Sequence, residues 1–123
     1  MKRTILTLTI ILSFLIFTQS CKKDESVNST TKTIYVTIKS NETYQFDLGS
    51  FGDEEGAGIS RQASHFQVSK TERVNYVKII YTYIPAQDYV GTDEVELKAE
   101  RGSDGAGPNN EITFFVIKFE ITN

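Results

Sequence analysis

Tryptophan is absent from this sequence, and cysteine and histidine occur once each. A single cysteine, Cys21, can form neither an internal disulfide nor a thiolate metal site, so stability has to come from a packed core. A single histidine, His65, leaves any Ser/His/Asp arrangement to an arbitrary choice of partners, and its polar setting beside a short apolar run reads as a strand edge. Basic residues are also in short supply, with thirteen Lys and Arg against sixteen Asp and Glu. That balance argues against nucleic acid as a partner, because affinity for phosphate backbones comes from Lys and Arg. Beyond residue 20 no stretch carries a helical hydrophobic period. Aromatic residues, by contrast, are plentiful, with six Tyr and eight Phe.

The N-terminus has its own character. Lys2 and Arg3 precede a charge-free run from Thr4 to Ser20, rich in Leu, Ile, Phe and Thr. At about 17 residues the run is short for a membrane-spanning helix and fits the apolar core of an export signal. It ends in Phe17-Thr18-Gln19-Ser20-Cys21. A small residue directly before a cysteine, at the end of such a run, resembles the lipobox of bacterial lipoproteins. The resemblance implies that residues 1–20 are a signal peptide, that the Cys21 thiol carries diacylglycerol, and that the new amine at Cys21 is acylated. Thr18 and Gln19 are less common lipobox residues. Lys22-Lys23-Asp24-Glu25-Ser26 then resembles the opening of Bacteroidota lipoproteins sent to the cell surface. The implied location is the outer membrane, with exposure on its outer leaflet.

Removal of the signal takes Lys2 and Arg3 with it and leaves a net charge near −5, unsuited to an anionic lipid surface. About one hundred residues remain, enough for one small domain. Residues 21–32 are polar and small and read as a lipidated cysteine followed by a flexible tether. Residues 33–123 then alternate with period two. Ile34, Val36 and Ile38 share a face, and after an Asn41-Glu42 turn so do Tyr44, Phe46 and Leu48. Gly49–Gly58 reads as a loop, Phe66–Val68 as a short strand, and Val74–Ile84 as one long strand ended by Pro85. Val95, Leu97 and Ala99 alternate with charged residues. Gly102–Asn110 is a loop, and Ile112–Ile121 is a last strand with Phe115, Ile117, Phe119 and Ile121 on one face. The fold expected is all-β: an antiparallel sandwich of about seven strands.

Tyr83-Ile84-Pro85-Ala86-Gln87-Asp88-Tyr89-Val90-Gly91-Thr92-Asp93 resembles the signature of bacterial cadherin-like and related Ig-like modules. The resemblance covers residues 59–122 and marks a fold more than an activity. Each of its positions has a physical task. Pro85 stops a strand, Tyr89 plugs the core under a crossing loop, Gly91 permits an unusual backbone, and Asp93 accepts backbone N–H bonds in a turn. The chain departs from that family in having one copy, a longer loop before the last strand, and none of the Asp-rich calcium motifs of cadherins.

No catalytic residue, metal site or cofactor is assigned. Asp53, Glu54, Glu55, Asp88 and Asp93 include no pair selected by spacing, and the Asp53–Glu55 and Asp104/Asn109/Asn110 loops read as turn chemistry rather than calcium sites. The final strand is apolar on both faces, Ile112, Phe114 and Val116 opposing Thr113, Phe115 and Ile117, where a sandwich strand needs one apolar face only. Either a loop or the N-terminal tether covers that second face, or Phe114 on it forms a partner surface; Tyr35, Tyr76 and Tyr89 are the candidate aromatic platform for a glycan ligand. The function expected is a non-enzymatic, lipid-anchored binding or adhesion module for a glycan or a protein. The alternative is a structural accessory subunit docked on another outer-membrane protein.

Overall fold

A computed structural model describes residues 26–123. The export signal and Cys21 lie outside the described residues. Seven strands follow one another: β1 (Asn28–Lys39), β2 (Tyr44–Ser50), β3 (Gly56–Arg61), β4 (Phe66–Val74), β5 (Lys78–Pro85), β6 (Gly91–Arg101) and β7 (Glu111–Thr122). They form a four-stranded sheet of order β1-β7-β6-β3 and a three-stranded sheet of order β2-β5-β4. The protein is a β-sandwich. Its order matches the Ig arrangement, in which third, sixth and seventh strands share one sheet, except that β1 has joined that sheet. β1 pairs with β7 in parallel over its whole length, so the expected all-antiparallel ladder has one parallel member.

The core is built from the alternating faces. Tyr81, Tyr83, Val95, Leu97, Ile117, Phe119 and Ile121 are sealed from water, and every second residue in β5, β6 and the second half of β7 is buried. Tyr83 stacks on Phe119 across the two sheets with ring centroids 4.0 Å apart, and Tyr44 meets the same ring edge-on at 5.4 Å. Burial pushes the Tyr81 phenol up to about 12, and its hydroxyl is kept satisfied by Ser69 at 2.8 Å.

Three local expectations give way. The strand β1 begins at Asn28, five residues inside the stretch read as tether. Ser29, Thr31 and Thr33 on one face and Thr30 and Lys32 on the other are all exposed, so no polar–apolar alternation marks them. They are strand because β7 offers a backbone ladder from Glu111 onward, and β-branched Thr suits it. β3 likewise starts at Gly56 within the expected Gly49–Gly58 loop. The expected long strand Val74–Ile84 is broken by a turn at residues 75–77, and β4 is correspondingly longer than Phe66–Val68. Asn75 and Tyr76 adopt left-handed backbones (φ 51° and 65°), a conformation Asn tolerates and Tyr rarely takes. The apolar residues Val74, Tyr76 and Val77 around Asn75 hide this turn from a reading by periodicity.

The pairing also fixes the two ends of the sandwich. One end carries Asn28, the loop at residues 51–55, the 75–77 turn and the loop at residues 102–110. The other carries the 40–43 turn, the loops at 62–65 and 86–90, and the C-terminus. The chain thus enters the fold at the end opposite the signature loop.

Candidate functional site

Period-two alternation puts Thr92, Glu94, Glu96 and Lys98 of β6 and Lys118 and Glu120 of β7 on the outer face of the larger sheet. Tyr35 and Thr37 of β1 stand beside Lys118 and Glu120 in register. The 62–65 segment rises at the opposite edge, where β3 ends. Together these elements enclose a groove of about 730 Å³ across all four strands, at the end remote from Asn28. Its floor is Thr92, Glu94, Lys118 and Glu120, with Tyr35 on one rim and Arg61 and His65 on the other.

Charge orders the floor. The Glu94 carboxylate accepts from Arg61 on one oxygen and lies 3.3 Å from the Lys118 ammonium on the other. Partial burial would raise the Glu94 carboxyl, but the two cations outweigh it and hold it below the ordinary range. Glu94 thereby ties three neighbouring strands across the groove floor. Glu120 and Tyr35 also line the space.

Beneath the groove lies the most connected carboxylate among the described residues. Asp93, expected to serve a turn, sits inside β6 and reaches across to the 62–65 segment instead. Its Oδ1 accepts the Ser64 N–H (2.8 Å) and the Glu94 N–H (2.9 Å). Its Oδ2 accepts the His65 N–H (2.8 Å) and lies 2.8 Å from the Tyr83 hydroxyl. That hydroxyl is also 3.0 Å from the His65 carbonyl, and its single proton favours the charged acceptor. Burial opposes ionisation of Asp93, yet these donors overcome it and hold its carboxyl below the usual range. Burial strongly raises the Tyr83 phenol, and the same carboxylate raises it further. The groove wall is therefore fixed to the core rather than left as a free loop.

The four candidate surface residues do not meet. Tyr35 is 78 % exposed on the groove rim. Tyr89 is half-buried. Its ring stacks on His65 at 4.1 Å and its hydroxyl donates to the Thr92 carbonyl, so it both caps the core and props the wall. Gly91 follows with φ 143°, a backbone L side chains rarely adopt, and a Cβ there would crowd the Tyr89 hydroxyl at 3.0 Å, so the signature's glycine suits the position. Tyr76 lies at the opposite end of the sandwich. Phe114 is half-buried in a narrow stripe with Ile112 and Val116, flanked in register by Thr31 and Lys98. Glu94, Lys118 and Glu120 were legible only as outward-facing positions of alternating strands; Arg61 fell in no expected strand, and Thr92 was read only within the signature. Nothing in one strand's pattern tells which outward residues of four strands share a depression.

The acidic loops are occupied by their own backbone. Glu55 accepts the Gly52 and Gly102 N–H groups, and Asp104 accepts those of Ala106 and Gly107. These bonds hold both carboxyls below the usual range. Among the described residues no three His, Cys, Asp or Glu side chains come together as a metal site.

No family model matches the chain, and no curated protein matches it. Among solved structures it is similar to the cysteine protease inhibitor EhICP2 from Entamoeba histolytica, at 14% identity and a TM-score of 0.45, over 79% of this chain and 96% of that one. At that level of similarity the match bears on neither ligand nor activity.

Proposed function

We propose that this protein is a non-catalytic binding module, lipid-anchored through Cys21, whose groove on the larger sheet takes a polyhydroxylated ligand such as a surface glycan. The observation that carries the binding half is the groove itself: a space within the range of small-ligand sites, floored by hydrogen-bonding side chains, with an exposed tyrosine ring on its rim. An aromatic face covers the C–H side of a sugar ring while carboxylate, ammonium and hydroxyl groups take its hydroxyls. A protein partner would favour a larger surface with an apolar centre. The Ig-like, cadherin-like resemblance of the signature suits such a module, because the groove wall is built on that signature.

The anchor half rests on Phe17–Cys21. Seven residue steps separate Cys21 from Asn28, a reach of at most about 25 Å, and β1 then climbs about 23 Å to Tyr35. A lipid at Cys21 thus keeps the chain-entry end within about 25 Å of the bilayer.

Two measurements test the two halves. The Cys21→Ser variant, expressed in a Gram-negative host, is expected to appear entirely in soluble fractions with its fold intact by circular dichroism. Retention in the membrane pellet would sink the anchor. The mature domain, passed over immobilised oligosaccharides of bacterial and host surfaces, is expected to be retained by at least one. Tyr35→Ala should weaken that retention at least tenfold. Retention of none, or equal retention of the variant, would remove the groove as a glycan site.

A further inference from the structure

The turn between β4 and β5 presents the most exposed aromatic side chain among the described residues. Tyr76 is 91 % exposed, with Val77 at 49 % and Val74 at 41 % beside it. This tip is held rigidly. The Val77 carbonyl accepts the Phe51 N–H at 2.7 Å, and the Tyr76 carbonyl accepts Arg73 at 3.1 Å. The same guanidinium donates to the Glu55 carbonyl at 2.8 Å, so the 51–55 loop and the turn are one braced unit. The left-handed backbone at Tyr76 costs a non-glycine residue free energy and turns its ring away from the sandwich into water. Neither core packing nor turn chemistry calls for an aromatic there; Gly or Asn would serve the turn better.

The position of the tip suggests its use. It lies at the same end of the sandwich as Asn28, and the chain beyond Asn28 leads back to Cys21 in seven residues. We propose that the Val74-Tyr76-Val77 tip is a second membrane contact, which inserts at the headgroup boundary and orients the lipid-anchored domain with its groove outward. This rests on the anchoring through Cys21 proposed above. Tyr suits the boundary because its ring is apolar and its hydroxyl remains wet. Asp53 and Glu54 on the braced loop favour a neutral bilayer over an anionic one. The tip is too small to hold the protein alone. Its effect is orientation once the lipid has brought it near.

The absence of tryptophan supplies the test. Tyr76→Trp introduces the sole indole, at a site whose fold already accommodates a large aromatic ring. The mature lipidated protein is reconstituted into phosphatidylcholine–phosphatidylethanolamine vesicles and separated by flotation. The introduced indole is expected to emit at shorter wavelength than in detergent-free Cys21→Ser,Tyr76→Trp protein and to lose at least half its intensity to brominated lipid. A Tyr35→Trp reporter on the groove rim is expected to be unaffected by brominated lipid. Protein that floats while the indole at position 76 stays unquenched overturns the tip contact and leaves the anchor standing. A blue shift without quenching by brominated lipid also overturns it, by assigning the tip to a protein surface. Protein that fails to float overturns the anchor itself, and the tip contact with it.

Discussion

Replacing Asp93 by alanine is expected to cost about 2–3 kcal/mol, because the part-buried Ser64 and His65 N–H bonds lose their acceptor, at about 1–3 kcal/mol for each unpaired group before relaxation, while the Tyr83 hydroxyl keeps only the His65 carbonyl. Such a loss is a large fraction of the stability of a domain this size. The damage should be directional. The 62–65 segment is held to β6 by these bonds, so hydrogen exchange at Ser64 and His65 should accelerate more than in β2. Asp93→Asn should fall between, because one amide oxygen can replace one carboxylate oxygen while the amide N–H₂ faces donors. The pH dependence follows from the depressed folded pKa. An unfolded aspartate titrates near 3.9. The carboxylate's contribution is complete above that value and disappears as pH falls through the lower folded value. The native protein should therefore lose stability steeply below about pH 4, whereas Asp93→Ala should lose much less over the same interval. Urea titrations at pH 7 and pH 3.5 measure both. Equal acid sensitivity in the two proteins would mean that other carboxylates set the acid limit.

The same residue shows where a single sequence stops being informative. Its presence after Gly91 marks a signature, and its need for N–H donors follows from its chemistry. The donors themselves lie 28 and 29 residues upstream, in a segment whose sequence, Ser64-His65, carries no mark of them. Strands β5, β6 and β7 were legible because burial on one face imposes alternation. The first half of β1 was not, because a strand exposed on both faces imposes none. The break at Asn75-Tyr76 was masked for the opposite reason: apolar residues on a turn tip mimic a strand. Its departure from the expected pattern is also what singles it out, since an aromatic residue in a left-handed turn has no structural cause. The groove was beyond reach for a topological reason. Tyr35, Arg61, Glu94 and Lys118 come from four strands, and their neighbourhood exists only once β1 has joined β7 in parallel.

Phe119→Ala is expected to be the most destabilising truncation in the core. Its ring is 2 % exposed and is gripped between Tyr83, stacked at 4.0 Å, and Tyr44, edge-on at 5.4 Å, so it joins β7 to both β5 and β2. Loss of a buried phenyl costs about 3–5 kcal/mol, through lost transfer energy and the cavity left behind. The cavity here cannot close easily. Tyr83 is held by its hydroxyl to Asp93 and cannot drop into the space, and Tyr44 is only edge-supported. For a domain of about one hundred residues this corresponds to a fall in melting temperature of about 15–25 °C. Phe115, four residues earlier on the same face, is half-buried and contacts a single ring, Phe46 at 5.3 Å, so Phe115→Ala should cost about half as much. If the two truncations proved equal, the grip of Tyr83 and Tyr44 on Phe119 would not be what closes the sandwich. A double substitution of Phe119→Ala with Tyr83→Phe sharpens the point. Freed from Asp93, the ring at position 83 can relax into the cavity, so the pair should lose less than the two single losses added.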